Sequence, residues 1–100
     1  MSTSEKFDGL LTRSGVSLAS LGIRDIGLSR SNALEAVELL RRAKLLILGG
    51  DVYFRRGDRI EVAYANWYAD SEPSEDHETY LRRSCDKAET YLKNFPEPTD

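Results

Sequence analysis

The chain is almost free of the residues from which small proteins build cross-links and metal sites. Its 100 residues include one cysteine, one histidine, one methionine and three prolines. A single cysteine excludes an intramolecular disulfide framework and is typical of a reducing compartment. With one histidine, a zinc site would need carboxylates to complete it. We therefore predict no metal and no cofactor, and a fold whose stability comes from packing.

Long apolar runs are also missing. No apolar stretch approaches the ~20 residues that span a bilayer. The polar start of the chain, MSTSEKFDGLL, lacks the apolar core of a secretory signal. The length predicts one domain over residues 1–100, with residues 1–6 and 96–100 loosely held. We expect a cytoplasmic protein with no membrane partner.

The net charge of −3 is mild but unevenly distributed. Residues 1–69 carry +2 and residues 70–100 carry −5. The acids that precede the next base are Asp70, Glu72, Glu75, Asp76 and Glu78. Such a patch repels phosphate backbones and attracts basic partners. The alternative interpretation is a solvated helix start, where acids complement the helix dipole.

Apolar periodicity predicts an α+β domain built around a small mixed β-sheet. In chain order we expect a helix at Glu5–Arg13, a helical turn at Leu18–Leu21, a strand at Ile23–Leu28, a helix at Asn32–Ala43, a strand at Leu45–Leu48, a hairpin within 49–68 and a helix from Ser74 to about Phe95. Ser31 or Asn32 would cap the second helix, and Ser74 the last. The strand–helix–strand unit would be a right-handed parallel crossover, to which the hairpin adds antiparallel strands. Two main helices would pack on this sheet.

The hairpin is the element that the local sequence predicts most clearly. Two runs rich in β-branched and aromatic residues flank an Arg-Gly-Asp turn at 56–58, and residues 60–64 alternate as a strand with one buried face does. The glycine pair at 49–50 predicts a bulge or sharp bend, because the lysine and the helix start of a phosphate-binding loop are absent. Asp51 would then bond nearby amides or point outward to a partner.

Catalytic chemistry finds little support in the sequence. His77 and Cys85 are separated by roughly 12 Å along the predicted last helix, too far for a hydrogen-bonded pair. Carboxylates on and near the hairpin offer acid–base pairs, but no spacing singles one out. Basic residues around the hairpin turn are diluted by Asp51 and Asp58, so we predict no nucleic-acid partner. We also predict no catalytic residue.

The segment Asn66-Trp67-Tyr68 is more informative. Aromatic residues beside an acidic loop are typical of protein-recognition surfaces, since Trp and Tyr are enriched at binding hot spots. Trp67 is alternatively a core residue under the last helix, and both interpretations hold if Tyr64 or Tyr68 faces outward. The predicted partner-binding residues are Asp51, Tyr53, Tyr64, Trp67, Tyr68, Asp70, Glu72, Glu75 and Asp76.

Residues 27–70, GLSRSNALEAVELLRRAKLLILGGDVYFRRGDRIEVAYANWYAD, resemble the immunity protein 40 family of bacterial polymorphic toxin systems. The resemblance rests on a helix followed by ILGGDVY, the hairpin, and ANWY with an acidic loop after it. It extends loosely over the last helix, and the first 22 residues add nothing. It implies a non-enzymatic protein that binds a cognate toxin domain and protects the producing cell. Such proteins often neutralise nucleases, whose basic surfaces the acidic segment 70–78 would suit.

Three functions stay open. The first is toxin inhibition by stoichiometric binding, by a monomer or a weak homodimer. The second is a generic interaction or oligomerising adaptor without a toxin partner, whose exposed edge strand pairs with itself or another chain. The third is a small enzyme or ligand-binding domain, which a deep pocket with converging carboxylates would support. The resemblance favours the first.

Overall fold

The computed structural model describes residues 3–22, 26–57 and 59–96. The elements in these ranges are α1 (Thr3–Ser14), β1 (Val16–Ser17), a 3₁₀ turn (Ala19–Leu21), β2 (Ile26–Gly27), α2 (Arg30–Arg42), β3 (Gly49–Arg56), β4 (Arg59–Tyr68) and α3 (His77–Asn94). The predicted α+β class is confirmed. Within the same ranges, no helix has both the length and the apolarity that a bilayer span requires.

The elements before α2 largely follow the prediction. Helix α1 covers the predicted 5–13 and ends just before Gly15. The predicted helical turn is the 3₁₀ turn, which Gly22 ends in the left-handed conformation (φ 75°). Of the strand predicted at Ile23–Leu28, residues 26–27 form β2, while residues 23–25 lie outside the described ranges. Residues 97–100 of the predicted loose C-terminal end also lie outside them.

Helix α2 begins earlier than predicted. Its cap is Ser29, whose backbone is extended (φ −62°, ψ 163°) and whose Oγ accepts a hydrogen bond from the Asn32 amide at 3.4 Å. The predicted caps, Ser31 and Asn32, lie inside the helix. Several neighbouring polar residues qualify as caps by type, and the backbone conformation selects among them.

Helix α3 is capped by Asp76 rather than by the predicted Ser74. The Asp76 carboxylate accepts a hydrogen bond from the Thr79 amide at 2.7 Å. Ser74 takes a φ of 65°, outside the extended region that a cap residue adopts. The helix ends as predicted, because Phe95 is extended (φ −69°, ψ 127°) ahead of Pro96.

The core lies between α2, α3 and the hairpin. Val37 of α2 is 4% exposed, and Cys85 and Ala88 of α3 are fully buried beside it. The residues that pack around this cluster are Ile47, Trp67 and Leu92. Burial raises the pKa of the Cys85 thiol, so Cys85 acts as a small apolar core residue, as the sequence predicts.

The predicted parallel crossover and mixed sheet are wrong. Within the described ranges, β1 pairs with β2 and β3 with β4, and both pairs are antiparallel. The run Leu45–Leu48 forms no strand, and its first and last residues are 48% and 64% exposed. Its middle is held by α3, since the Ile47 amide donates to Ser84 Oγ at 3.3 Å. A short aliphatic run indicates burial but not whether a sheet or a helix covers it.

The hairpin forms as predicted, but its two opening glycines make no bend. Gly49 pairs with Tyr68, and Gly50 pairs with Trp67. A Cβ on Gly50 would lie 2.3 Å from the nearest atom of the Trp67 ring, and one on Gly49 would lie 2.4 Å from the Trp67 carbonyl oxygen. The glycines are therefore required by the close approach of Trp67.

We expect Gly50→Ala to lower the free energy of unfolding by about 1–3 kcal/mol, because the new methyl group overlaps the Trp67 ring. Gly9→Ala is the matched control, since nothing lies within 4 Å of a Cβ there. On α1, that control should raise the free energy of unfolding by about 0.5–1 kcal/mol. Urea unfolding of both variants measures the difference; equal effects would contradict this account of Gly50.

Candidate partner-binding surface

The two faces of the hairpin have different surroundings. On the inner face the Trp67 ring lies 4.9 Å from the Tyr91 ring, and Phe54 lies 6.2 Å from Phe95. Both contacts join the hairpin to α3 and the residue after it. Because side chains alternate along a strand, the neighbouring residues point to the opposite, outer face.

The outer face contains a shallow open depression of about 360 Å³. Its lining residues are Asp51, Val52, Tyr53, Val62, Tyr64, Ala65 and Asn66. In the strand register, Asp51 lies opposite Asn66 and Tyr53 lies opposite Val62. The depression therefore brings together three of the predicted partner-binding residues, Asp51, Tyr53 and Tyr64.

Tyr64 is displayed by a β-bulge. The register shifts between Val52 and Tyr53, so Ala63 and Tyr64 have no partner on β3. Tyr64 takes a φ of 55°, and its side chain is 93% exposed. This left-handed conformation costs a bulky residue about 1–2 kcal/mol, which an exposed ring does not regain by burial. Bulges re-aim side chains beside functional sites, and strained residues cluster there. Tyr64 is therefore the leading candidate contact.

Trp67 and Tyr68 lie on opposite faces. Trp67 packs on the inner face as part of the core, which agrees with the alternative that the sequence left open. Tyr68 is 64% exposed, and the Lys87 ammonium lies 5.3 Å from its ring centre. This cation–π contact orients the exposed ring at the base of the hairpin.

Glu75 is paired with Arg83. Arg83 Nε donates to Glu75 Oε2 at 2.7 Å, and Nη2 donates to Oε1 at 2.8 Å. The Glu75 side chain is only 7% exposed. The hydrogen bonds from Arg83, and next the one from the Glu72 amide, lower the pKa of Glu75 from 4.5 to about 2. With Asp76 capping α3, two of the predicted contact acids hold the loop in place.

Arg83 and Tyr80 bind the rest of the acidic loop to α3. The Tyr80 hydroxyl donates to the Ala69 carbonyl at 2.7 Å, and Arg83 also donates to the Asp70 carbonyl. The side chains of Asp70 and Glu72 remain exposed. These two carboxylates are thus presented to solvent from a loop whose backbone is held.

Five residues that line the depression or hold the loop were not among the predicted ones, namely Val52, Val62, Ala65, Asn66 and Arg83. The alternation along β4 could have identified Val62 and Asn66, because they flank Tyr64 at two-residue spacing. Arg83 gives no local signal, since its pairing with Glu75 depends on how the loop folds back. Among the described residues, no group of His, Cys, Asp and Glu is arranged to hold a metal ion.

The Glu75 pair should make stability depend on pH. Because folding lowers this pKa, the stabilisation is complete above 4.5 and is lost as the pH falls toward about 2. We expect Glu75→Gln to unfold at lower urea concentration than the wild type at neutral pH, and the gap to close under acid. Glu35→Gln, at an exposed position on α2, is the isosteric control and should show a small gap at every pH. A Glu75→Gln gap that persists unchanged in acid would contradict this assignment.

Comparison with known families identifies the family of this chain. The family described as Immunity protein 40 matches residues 17–100. Comparison with curated proteins and with solved structures finds no match. The matched region includes the whole of α3 and reaches into the first 22 residues, so it is longer than the predicted segment 27–70. Because it covers well over half of the sequence, the chain belongs to the immunity protein 40 family.

Proposed function

We propose that this immunity protein neutralises a cognate protein toxin in the cytoplasm by stoichiometric binding and catalyses no reaction itself. Membership in the immunity protein 40 family supports the general role. The observation that carries the binding mode is Tyr64, which is 93% exposed in a strained conformation and lines the outer depression. Tyrosine is one of the residues that most often supply binding energy at protein interfaces.

The surface around Tyr64 suits a protein partner. Asp51 and Tyr53 lie in the same depression, and Tyr68 continues the outer face toward the acidic loop. The aromatic rings would anchor the toxin, and the carboxylates would orient it. A loop that is already ordered loses less entropy on binding.

The remaining predicted residues act by positioning in this proposal. Trp67 seats the hairpin on α3, while Glu75 and Asp76 hold the loop that carries Asp70 and Glu72. The exposed carboxylates complement a basic toxin surface, such as the nucleic-acid-binding face of a nuclease. This charge pattern also disfavours nucleic acid as a direct partner.

We expect Tyr64→Gly to separate binding from folding. Glycine relieves the left-handed strain of about 1–2 kcal/mol but adds chain entropy of about 0.5–1 kcal/mol, so stability should change little. Loss of a hot-spot tyrosine costs about 2 kcal/mol or more, which weakens toxin binding at least about 30-fold. Calorimetric titration with the toxin domain encoded by the neighbouring gene measures this. Leu45→Ala, at an exposed residue whose carbonyl lies against Cys85, should retain affinity. Unchanged affinity in Tyr64→Gly would reject the outer face as the anchor.

We expect the pair Asp70→Asn and Glu72→Gln to slow toxin association several-fold at low salt with little change in dissociation, because exposed charges act mainly through steering. Stopped-flow binding over a range of salt concentrations tests this. A double variant with the same charge change elsewhere, Glu5→Gln with Glu35→Gln, should bind at the wild-type rate. If both double variants show the same rate and salt dependence, the loop does not steer the toxin.

A further inference from the structure

One edge of β3 faces away from β4. The backbone N–H and C=O groups on this free edge form no hydrogen bond with any described residue. The Ala69 amide donates to the Leu48 carbonyl at 2.9 Å, in line with the pairing of Gly49 with Tyr68. Since hydrogen bonding alternates along an antiparallel pair, even-numbered residues of β3 bond to β4. The odd-numbered residues 51, 53 and 55 therefore direct their N–H and C=O groups away from it. No proline or covering strand in the described ranges blocks this edge.

The sequence of this edge is complementary to itself when two copies run antiparallel. Residues 51–55 read Asp-Val-Tyr-Phe-Arg. When Tyr53 lies opposite Tyr53 of a second copy, Asp51 lies opposite Arg55 and Val52 lies opposite Phe54. Opposite charges, apolar pairs and aromatic pairs at such positions each contribute about 0.2–1 kcal/mol. This register also places the outward N–H and C=O groups of residues 51, 53 and 55 of one copy opposite those of the other copy.

The side chains involved are available for this pairing. Asp51 and Arg55 are exposed, and neither forms an ion pair within the described part of the chain. The Asp51–Arg55 pair would occur twice in the dimer, once on each side of the two-fold axis, as an isologous interface requires.

We propose that two copies of this chain join through β3 into one continuous four-stranded antiparallel sheet. The pairing extends a sheet that has only two strands in each copy. Tyr64 and the acidic loop belong to β4 and the segment after it, so they stay open in the dimer. Self-association requires no toxin, so the purified chain alone is enough to test it.

The first experiment is a charge exchange followed by sedimentation equilibrium. The wild type should show a weak monomer–dimer equilibrium over about 10 µM to 1 mM, the range expected for a small interface. Asp51→Arg and Arg55→Asp should each weaken dimerisation at least about tenfold, because like charges then face each other across the axis. The double variant carrying both changes should recover it. Glu35→Arg, on α2, is the charge-matched control and should dimerise as the wild type does.

The second experiment is a cross-link that changes no charge. Across the two-fold axis the Tyr53 Cα atoms would lie about 5.5 Å apart, within disulfide range. Tyr53→Cys should therefore form a covalent dimer on mild oxidation. Val62→Cys is the matched control, because Val62 lies opposite Tyr53 on β4 and its copies would be about 14 Å apart, three strand spacings. It should form no such dimer.

The outcomes separate the possibilities. The proposal is overturned if the chain is monomeric at every concentration. It is also overturned if the single charge variants weaken association and the double variant does not restore it. Equal cross-linking at positions 53 and 62 overturns it as well. If the chain is monomeric, self-pairing is rejected, and loss of toxin capture in Asp51→Arg then assigns Asp51 to the toxin-binding surface alone. Recovery in the double variant together with selective cross-linking at position 53 supports the dimer, whether or not the toxin proposal holds.

Discussion

The contact of the Trp67 indole with Gly50 and Tyr91 determines how the hairpin sits on the helices. The ring lies 4.9 Å from Tyr91 and also packs against the cluster of Val37, Cys85 and Ala88. Only glycine at position 50 leaves room for it. Because side chains alternate along a strand, seating Trp67 inward turns its neighbours outward. The composition of the outer face is thus a consequence of where one aromatic residue is buried.

The hairpin has three chemically distinct sides that follow from this seating. Its inner face is apolar and packs on α3, and its outer face carries a bulge that exposes Tyr64. Its free edge has the sequence Asp-Val-Tyr-Phe-Arg at 51–55, and no described residue bonds the outward backbone groups of residues 51, 53 and 55. The proposed toxin contact Tyr64 lies on the outer face, whereas the proposed self-association uses the free edge of β3 together with Asp51 and Tyr53, which also line the outer depression.

The acidic loop divides its carboxylates between structure and solvent. Glu75 is bound by Arg83 with two short hydrogen bonds and has a lowered pKa, and Asp76 caps α3. Asp70 and Glu72 remain exposed beside them. A run of acids in a sequence therefore overstates the charge that a partner meets, because helix starts and arginine pairs use part of it.

The sequence by itself determined the α+β class, the hairpin with its turn, the apolar stripe of α3 and the family. These depend on periodicity, turn chemistry and motif residues, all of which are local along the chain. The tertiary structure decided that residues 45–48 lie against α3 rather than in a parallel sheet. It selected which of several polar residues cap the helices. It also decided that Trp67 points inward while Tyr64 points outward. It also decided that Arg83 reaches Glu75. Each of these depends on what packs against a residue from elsewhere in the chain, and local pattern carries no information about that neighbour.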